Sequence, residues 1–225
     1  MTNFASKAGR VNEMDEHLLR FDRKKSYVLI DCETENLCLN HFHNLPWQIA
    51  MIKARGDQII DTKHYYVRWD RPINISKEAA RITKFDRKKY ELLAAPYDEI
   101  FPTIFDWLEN TDYILGHNLL GFDMYLIKDF YDKMGKPYHH LIDKVIDTLS
   151  VARGIKNGRP YKPGEDFLEY QYRMINLRRK GVKTTLAQLG KDYSIEYNED
   201  DLHDALADLK LNFTVWNKLK WQIEI

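Results

Sequence analysis

Three apolar, β-rich runs come before any long helical pattern in this chain, and the first of them ends in acid. Tyr27-Val28-Leu29-Ile30 is short and apolar enough for a buried strand. Trp47 to Ala54 and Gln58 to Val67 read as a second and a third strand, with Arg55-Gly56-Asp57 as the hairpin turn between them. Helices and strands then alternate. Ser76 is the natural N-cap of a helix beginning at Lys77. Tyr97 to Leu108 carries Phe101, Ile104, Phe105 and Leu108 on one helical face, which requires Pro102 to lie in the first turn. A short strand over Asp112 to Gly116 leads into a helix from Leu119 to Met134, closed by Gly135 and Pro137. Val145 to Asp147 predicts another strand, Thr184 to Tyr193 another helix. A last helix runs from about Leu202 to Lys218, with Leu202, Leu206, Leu209, Phe213 and Trp216 as its stripe. A meander followed by alternating elements predicts a mixed sheet covered by helices, an α/β or α+β domain.

Composition narrows what such a domain does. With 225 residues and 44% apolar content the chain can build one generous core. No stretch approaches the ~18 apolar residues of a membrane span, and the opening Met-Thr-Asn-Phe lacks a charged-then-apolar signal pattern, so the expectation is a soluble, cytoplasmic protein. Two cysteines, Cys32 and Cys38, give no disulfide framework and suit a reducing compartment. Formal net charge is zero, which argues against coating nucleic acid non-specifically; any such contact should be local, at a cleft. Residues 1–25 are polar and mixed in charge and are expected as a peripheral segment before a domain over 26–225. Within it, 153–183 stands apart as a basic insertion. Arg153, Lys156, Arg159, Lys162, Arg173, Arg178, Arg179, Lys180 and Lys183 oppose only Glu165, Asp166 and Glu169. It reads as a loop followed by a short helix, and either tracks a nucleic-acid strand or serves as a solvated or partner-docking arm.

The acids are distributed with a pattern. Asp31 and Glu33 are two apart at the end of a strand and so share a face. Two carboxylates there repel unless a positive group sits between them, and a metal ion supplies it. Asp123 falls on the predicted helix in line with Leu119, Ile127, Phe130 and Met134, a buried stripe where an unpaired carboxylate is costly. Gly116-His117-Asn118 precedes it at a strand-to-helix junction, where donors can meet phosphate oxygens. His203 and Asp208 are five apart, about 140° around a helix, so His203 is expected at or before the helix start and Asp208 one turn in. Four carboxylates and one imidazole are the inventory for holding two divalent metals against a phosphodiester.

In this order the motifs resemble the DnaQ-like 3′–5′ exonucleases of the DEDDh type. The resemblance rests on Asp31, Glu33 and Thr34; on Gly116, His117, Asn118, Phe122 and Asp123; and on His203 through Asp208. Leu37, Gln48-Ile49-Ala50 and Ile146-Asp147-Thr148-Leu149 also fit, so the match covers about residues 26–219. Three features depart from the usual pattern: Glu35-Asn36 where the family often has Thr-Gly, one extra residue between Asn118 and Asp123, and the long insertion. They mark a divergent member.

The resemblance implies a ribonuclease H-like mixed sheet of about five strands with helices on both faces. It implies that Asp31, Glu33, Asp123 and Asp208 hold two Mg²⁺ or Mn²⁺ ions, about 4 Å apart as in two-metal sites. His203 is then the general base, and Thr34, Leu37, His117, Asn118 and Phe122 contact substrate, although Phe122 equally suits the core. The expected activity is release of nucleoside monophosphates from the 3′ end of DNA, preferably single stranded. An exoribonuclease trimming RNA ends is the alternative, and a non-catalytic nucleic-acid or partner-binding module a further one. A DNA polymerase or another replication protein is the expected protein partner.

Overall fold

A computed structural model describes residues 17–39, 44–197 and 205–225. Six strands form one sheet: β1 (Ser26–Thr34), β2 (Pro46–Arg55), β3 (Gln58–Arg68), β4 (Ala95–Pro96), β5 (Tyr113–Gly116) and β6 (Val145–Asp147). The helices of the described residues are α1 (Lys77–Ile82), α2 (Arg87–Leu93), α3 (Tyr97–Glu109), α4 (Asp123–Lys133), α5 (His139–Ile142), α6 (Thr148–Lys156), α7 (Phe167–Ile175), α8 (Leu186–Asp192) and α9 (Ala205–Leu219). Strand order across the sheet is β4-β3-β2-β1-β5-β6. The meander β1-β2-β3 is antiparallel, whereas β1, β5 and β6 run parallel.

The alternation of β1 sorts the two faces. Val28, Ile30 and Cys32 join Ile49 and Met51 against Ile104 and Leu108 of α3 and Ile127 and Phe130 of α4. Tyr27 and Leu29 face the other way, with Ala50 and Ile52, onto Leu209, Phe213 and Trp216 of α9. Layers of helix on both faces make this an α/β ribonuclease H-like domain, with six strands where about five were expected; the additional one is the two-residue edge strand β4.

Several local expectations need correction. Pro102 is the sixth residue of α3, not a first-turn residue. Its missing N–H removes one intrahelical bond inside the helix, which the burial of Phe101, Ile104 and Leu108 outweighs. The helix expected from Leu119 is broken: Leu119–Gly121 form a 3₁₀ turn, Phe122 leaves the helical region at φ −145° and ψ −74°, and α4 begins at Asp123. Residues 17–25, expected at the periphery, are tied down. Leu18 and Leu19 are buried, and Leu19 N–H donates to Ile225 O at 2.7 Å. Leu202 and the start of the last helix before Ala205 lie outside the described residues. Cys32 and Cys38 are both free thiols, the first buried and the second exposed. No described helix is long and apolar enough to cross a membrane.

The basic insertion is built into the domain. α7 follows the Asp166 cap and docks through Gln171, which is fully buried. Gln171 accepts from the main-chain N–H of Asp147 at 2.6 Å and donates to Val145 O at 3.0 Å, taking the place of a neighbouring strand along the edge of β6.

Glu35, where the family usually differs, organises the chain leaving β1. It is 2% exposed and receives both Arg71 guanidinium nitrogens at 2.8 and 2.6 Å, with Leu45 N–H at 3.2 Å and Asn74 N–H adding to them. Burial pushes its carboxyl up, but Arg71 and the main-chain donors prevail and hold it below the usual range. Glu35→Ala should cost about 2 kcal/mol in chemical unfolding, below the ~3–5 kcal/mol of a fully buried broken pair because the Arg71 side chain is 40% exposed. A loss under half that value would show that the pair does not hold this turn.

Candidate active site

The parallel strands β1, β5 and β6 deliver their carboxyl ends to one edge of the sheet, the place where open α/β sheets bind ligands. Asp31 and Glu33 come from the end of β1, Gly116-His117-Asn118 from the end of β5, and Asp147 from the end of β6. A bulge between Glu33 and Thr34 in the pairing with β2 re-aims the strand here. Asp31 and Glu33 are on the β1 face that packs against α9, and Asp208 sits in the first turn of α9. Asp123 is the first residue of α4, buried, and accepts a hydrogen bond from the Cys32 main-chain N–H at 3.0 Å. Both helix starts favour a negative charge.

Electrostatics tie these acids together. Burial, and then the charge of Asp208, push the Asp31 carboxyl up to about 7. Burial, and then Asp31, push Asp123 well above the usual range, against the hydrogen bond from Cys32. The buried Cys32 thiol is raised by burial and then by Asp123, Asp31 and Glu33. Asp31 is thus coupled to Asp208 on α9 and to Asp123 on α4, and Glu33 acts on the same Cys32 thiol. His203 and the stretch 198–204 lie outside the described residues.

Behind the acids lies a buried polar frame whose roles were not read from the sequence, although its Asp-Thr-Leu run was. Asp147 is fully buried, caps α6 through Ser150 N–H at 3.1 Å, and accepts from the main-chain N–H groups of Leu120 at 2.9 Å and Asn118 at 3.3 Å. It thereby fixes the loop that leads to Asp123. Asn118 has left-handed backbone at φ 70°, and its Oδ1 lies where a side chain on Gly121 would be, so a larger residue at 121 would displace the Asn118 amide. The Thr148 hydroxyl lies 3.1 Å from Gly116 O, 2.8 Å from Asn212 Oδ1 and 3.1 Å from His117 Nδ1. Asn212 stands one helical turn beyond Asp208, so one hydroxyl links the β5 loop to the helix carrying an acid.

The residues expected to touch substrate divide. Leu37 is 42% exposed beside the end of β1, free to meet a base. Thr34 is buried, with its hydroxyl turned to Asn36 O. Phe122 is half-buried and packs on the core. His117 and Asn118 line a cavity of about 660 Å³. Burial lowers His117 to about 4, a main-chain hydrogen bond with Thr184 opposes this, and Arg153 adds to the lowering.

The "RNase_T: Exonuclease" family model matches residues 28–215, and the chain belongs to that exonuclease family. No curated protein matches. Among solved structures, E. coli Exonuclease I in complex with a dT13 oligonucleotide is similar at TM-score 0.68 and 18% identity, covering 88% of this chain and 41% of that one. The zinc-bound form of the E. coli ExoI–ssDNA complex gives TM-score 0.68, 19% identity and the same coverages, and an ExoI/SSB-Ct complex 0.65 and 17%, again with 88% and 41%. This chain spans about two fifths of the length of those chains, and at such identity the likeness is one of fold.

One titration follows from His117. Its folded value lies below the ordinary histidine value, so the neutral ring contributes stability at pH above about 6.5 that is lost as pH falls toward 4. The difference in unfolding free energy between wild type and His117→Gln should shrink by about 3 kcal/mol across that window. A pH-independent difference would mean that the ring is not held neutral.

Proposed function

We propose that this exonuclease domain hydrolyses the terminal phosphodiester of single-stranded DNA from the 3′ end, with divalent cations held by Asp31, Glu33, Asp123 and Asp208. The observation that carries the reading is the gathering of acids at the sheet edge: Asp31 is raised by burial and then by Asp208, and Asp123 by burial and then by Asp31, so acids from β1, α4 and α9 share one field. The donors are all hard carboxylate oxygens, the chemistry that suits Mg²⁺ or Mn²⁺. Among the described residues no three His, Cys, Asp or Glu side chains stand as a finished ligand cluster. Like charges left to themselves keep apart, so the donor set fits the cations in chemistry and is completed by binding them. The cations, when bound, supply positive charge that activates water and stabilises a leaving oxygen.

The remaining steps belong to the chain. Asp123, pinned by the Cys32 N–H, fixes one side of the site, and the Asp147 frame fixes the loop before it. Leu37 offers an exposed apolar surface for the terminal base. His203, five residues before Asp208, takes a proton from the attacking water. The E. coli Exonuclease I structures with oligonucleotides support a single strand as substrate class.

A 5′-labelled single strand incubated with Mg²⁺ should shorten from its 3′ end, and EDTA should stop it. Asp31→Asn should lower kcat by about 10³-fold, the loss of several kcal/mol of charge stabilisation. Full activity in that variant would overturn the assignment. His203→Ala should cost roughly 10²- to 10⁴-fold in kcat while Mn²⁺ affinity is retained; lost metal affinity would make His203 a ligand instead. Parallel RNA strands in the same time course separate the exoribonuclease reading.

A further inference from the structure

The cavity of about 660 Å³ that begins at His117 and Asn118 is lined by cations and apolar side chains. Its far wall is the segment between α7 and α8, and its lining includes Arg153, Arg178, Arg179 and Lys183 together with Leu149, Leu177 and Val182. The volume falls in the ~300–1,000 Å³ range of ligand sites. The whole chain is neutral, so this concentration of positive charge is local.

Two other cations of the insertion are already committed to carboxylates. Lys156 binds Asp192 and Lys183 O, and Arg173 binds Glu165. Arg178, Arg179 and Lys183 are exposed, and neither they nor Arg153 form an ion pair with a carboxylate among the described residues. Arg153 is anchored by donating to Ile175 O and lies close enough to Arg178 for the two guanidiniums to repel. Like charges gathered into one concave site lower their energy most by taking up an anion. Guanidiniums in pairs suit the oxygens of a phosphodiester.

We infer that this cavity is a phosphate subsite for the substrate strand, in which Arg153, Arg178, Arg179 and Lys183 hold backbone phosphates on the 5′ side of the terminal nucleotide. The inference rests on the nuclease reading above, since the cavity adjoins the loop that leads to Asp123. The strand leaves the carboxylates past Asn118 and crosses the mouth of the cavity. The apolar wall of Leu149, Leu177 and Val182 meets sugars or bases, and no contact reads sequence. The subsite explains how a neutral protein gains affinity for a polyanion, and it makes binding steeply dependent on salt.

The test is equilibrium binding of a 3′-ended DNA single strand of ~15 nucleotides in EDTA across a series of salt concentrations, with shortening of the same strand in Mg²⁺ assayed alongside. Arg178→Gln/Arg179→Gln should reduce the slope of log K against log[salt] by about 1.4, two phosphate contacts' worth for a single strand. Lys162→Gln/Arg173→Gln, which removes equal charge outside the cavity, should leave the slope at the wild-type value. An unchanged slope in the first variant, or an equal drop in both, would overturn the subsite. A strand that binds with the expected slopes but is never shortened by the wild type would sink the nuclease reading and leave the subsite standing.

Discussion

Negative charge gathered at one edge of the sheet is the constraint on which the rest of this structure depends. Burial alone would drive Asp31 and Asp123 toward their neutral forms, and each neighbouring acid pushes in the same direction. A fold that sought only stability would place apolar or amide side chains here. Instead it invests a hydrogen bond from Cys32, two helix N-termini and a three-strand parallel edge in keeping carboxylates together. A cation held there, as proposed, would offset that repulsion, and this is the link between the topology and the proposed chemistry.

The second level of organisation is the polar frame behind the acids. Asp147, Thr148, Gln171 and Asn212 are all buried and all hydrogen-bonded, and they connect β6, the loop after β5, α7 and α9. Satisfied buried networks of this kind rigidify what they join. They set the loop before Asp123 and the helix bearing Asp208 relative to each other, so that the acids' positions do not depend on the carboxylates attracting one another. The insertion participates through Gln171, which makes it part of the same frame, and Arg153, Arg178 and Arg179 line the cavity that begins at His117 and Asn118.

Much of this was legible in the sequence for identifiable reasons. β1, β2 and β3 announce themselves because strands are built from runs of Val, Ile and aromatic residues, and the turn at Gly56 separates two of them. The Asp31-Glu33 pair was readable from the two-residue strand period. The start of α4 was not, because Leu119 and Leu120 continue its apolar stripe while the interruption comes from the left-handed Asn118 and from Gly121. α6 was hidden by its charged, Gly-containing sequence, and its helicity comes from tertiary burial of Val151 and Ala152, whereas the short helix expected after the loop of the insertion is α7. Glu35 looked like a departure from the family pattern; only its partner Arg71, 36 residues away in sequence, reveals why an acid is kept there. Long-range partners of single polar residues carry no periodic signal, and this is where sequence reading runs out.

The most direct measurement of the central claim is a crystal of the protein grown with Mn²⁺ and a short 3′-ended oligonucleotide, with the anomalous scattering of manganese recorded. The account predicts manganese peaks bounded by the carboxylates of Asp31, Glu33, Asp123 and Asp208, with the scissile phosphate against them. Manganese absent from that edge of the sheet, or bound there while the strand's 3′ end lies elsewhere, would contradict it.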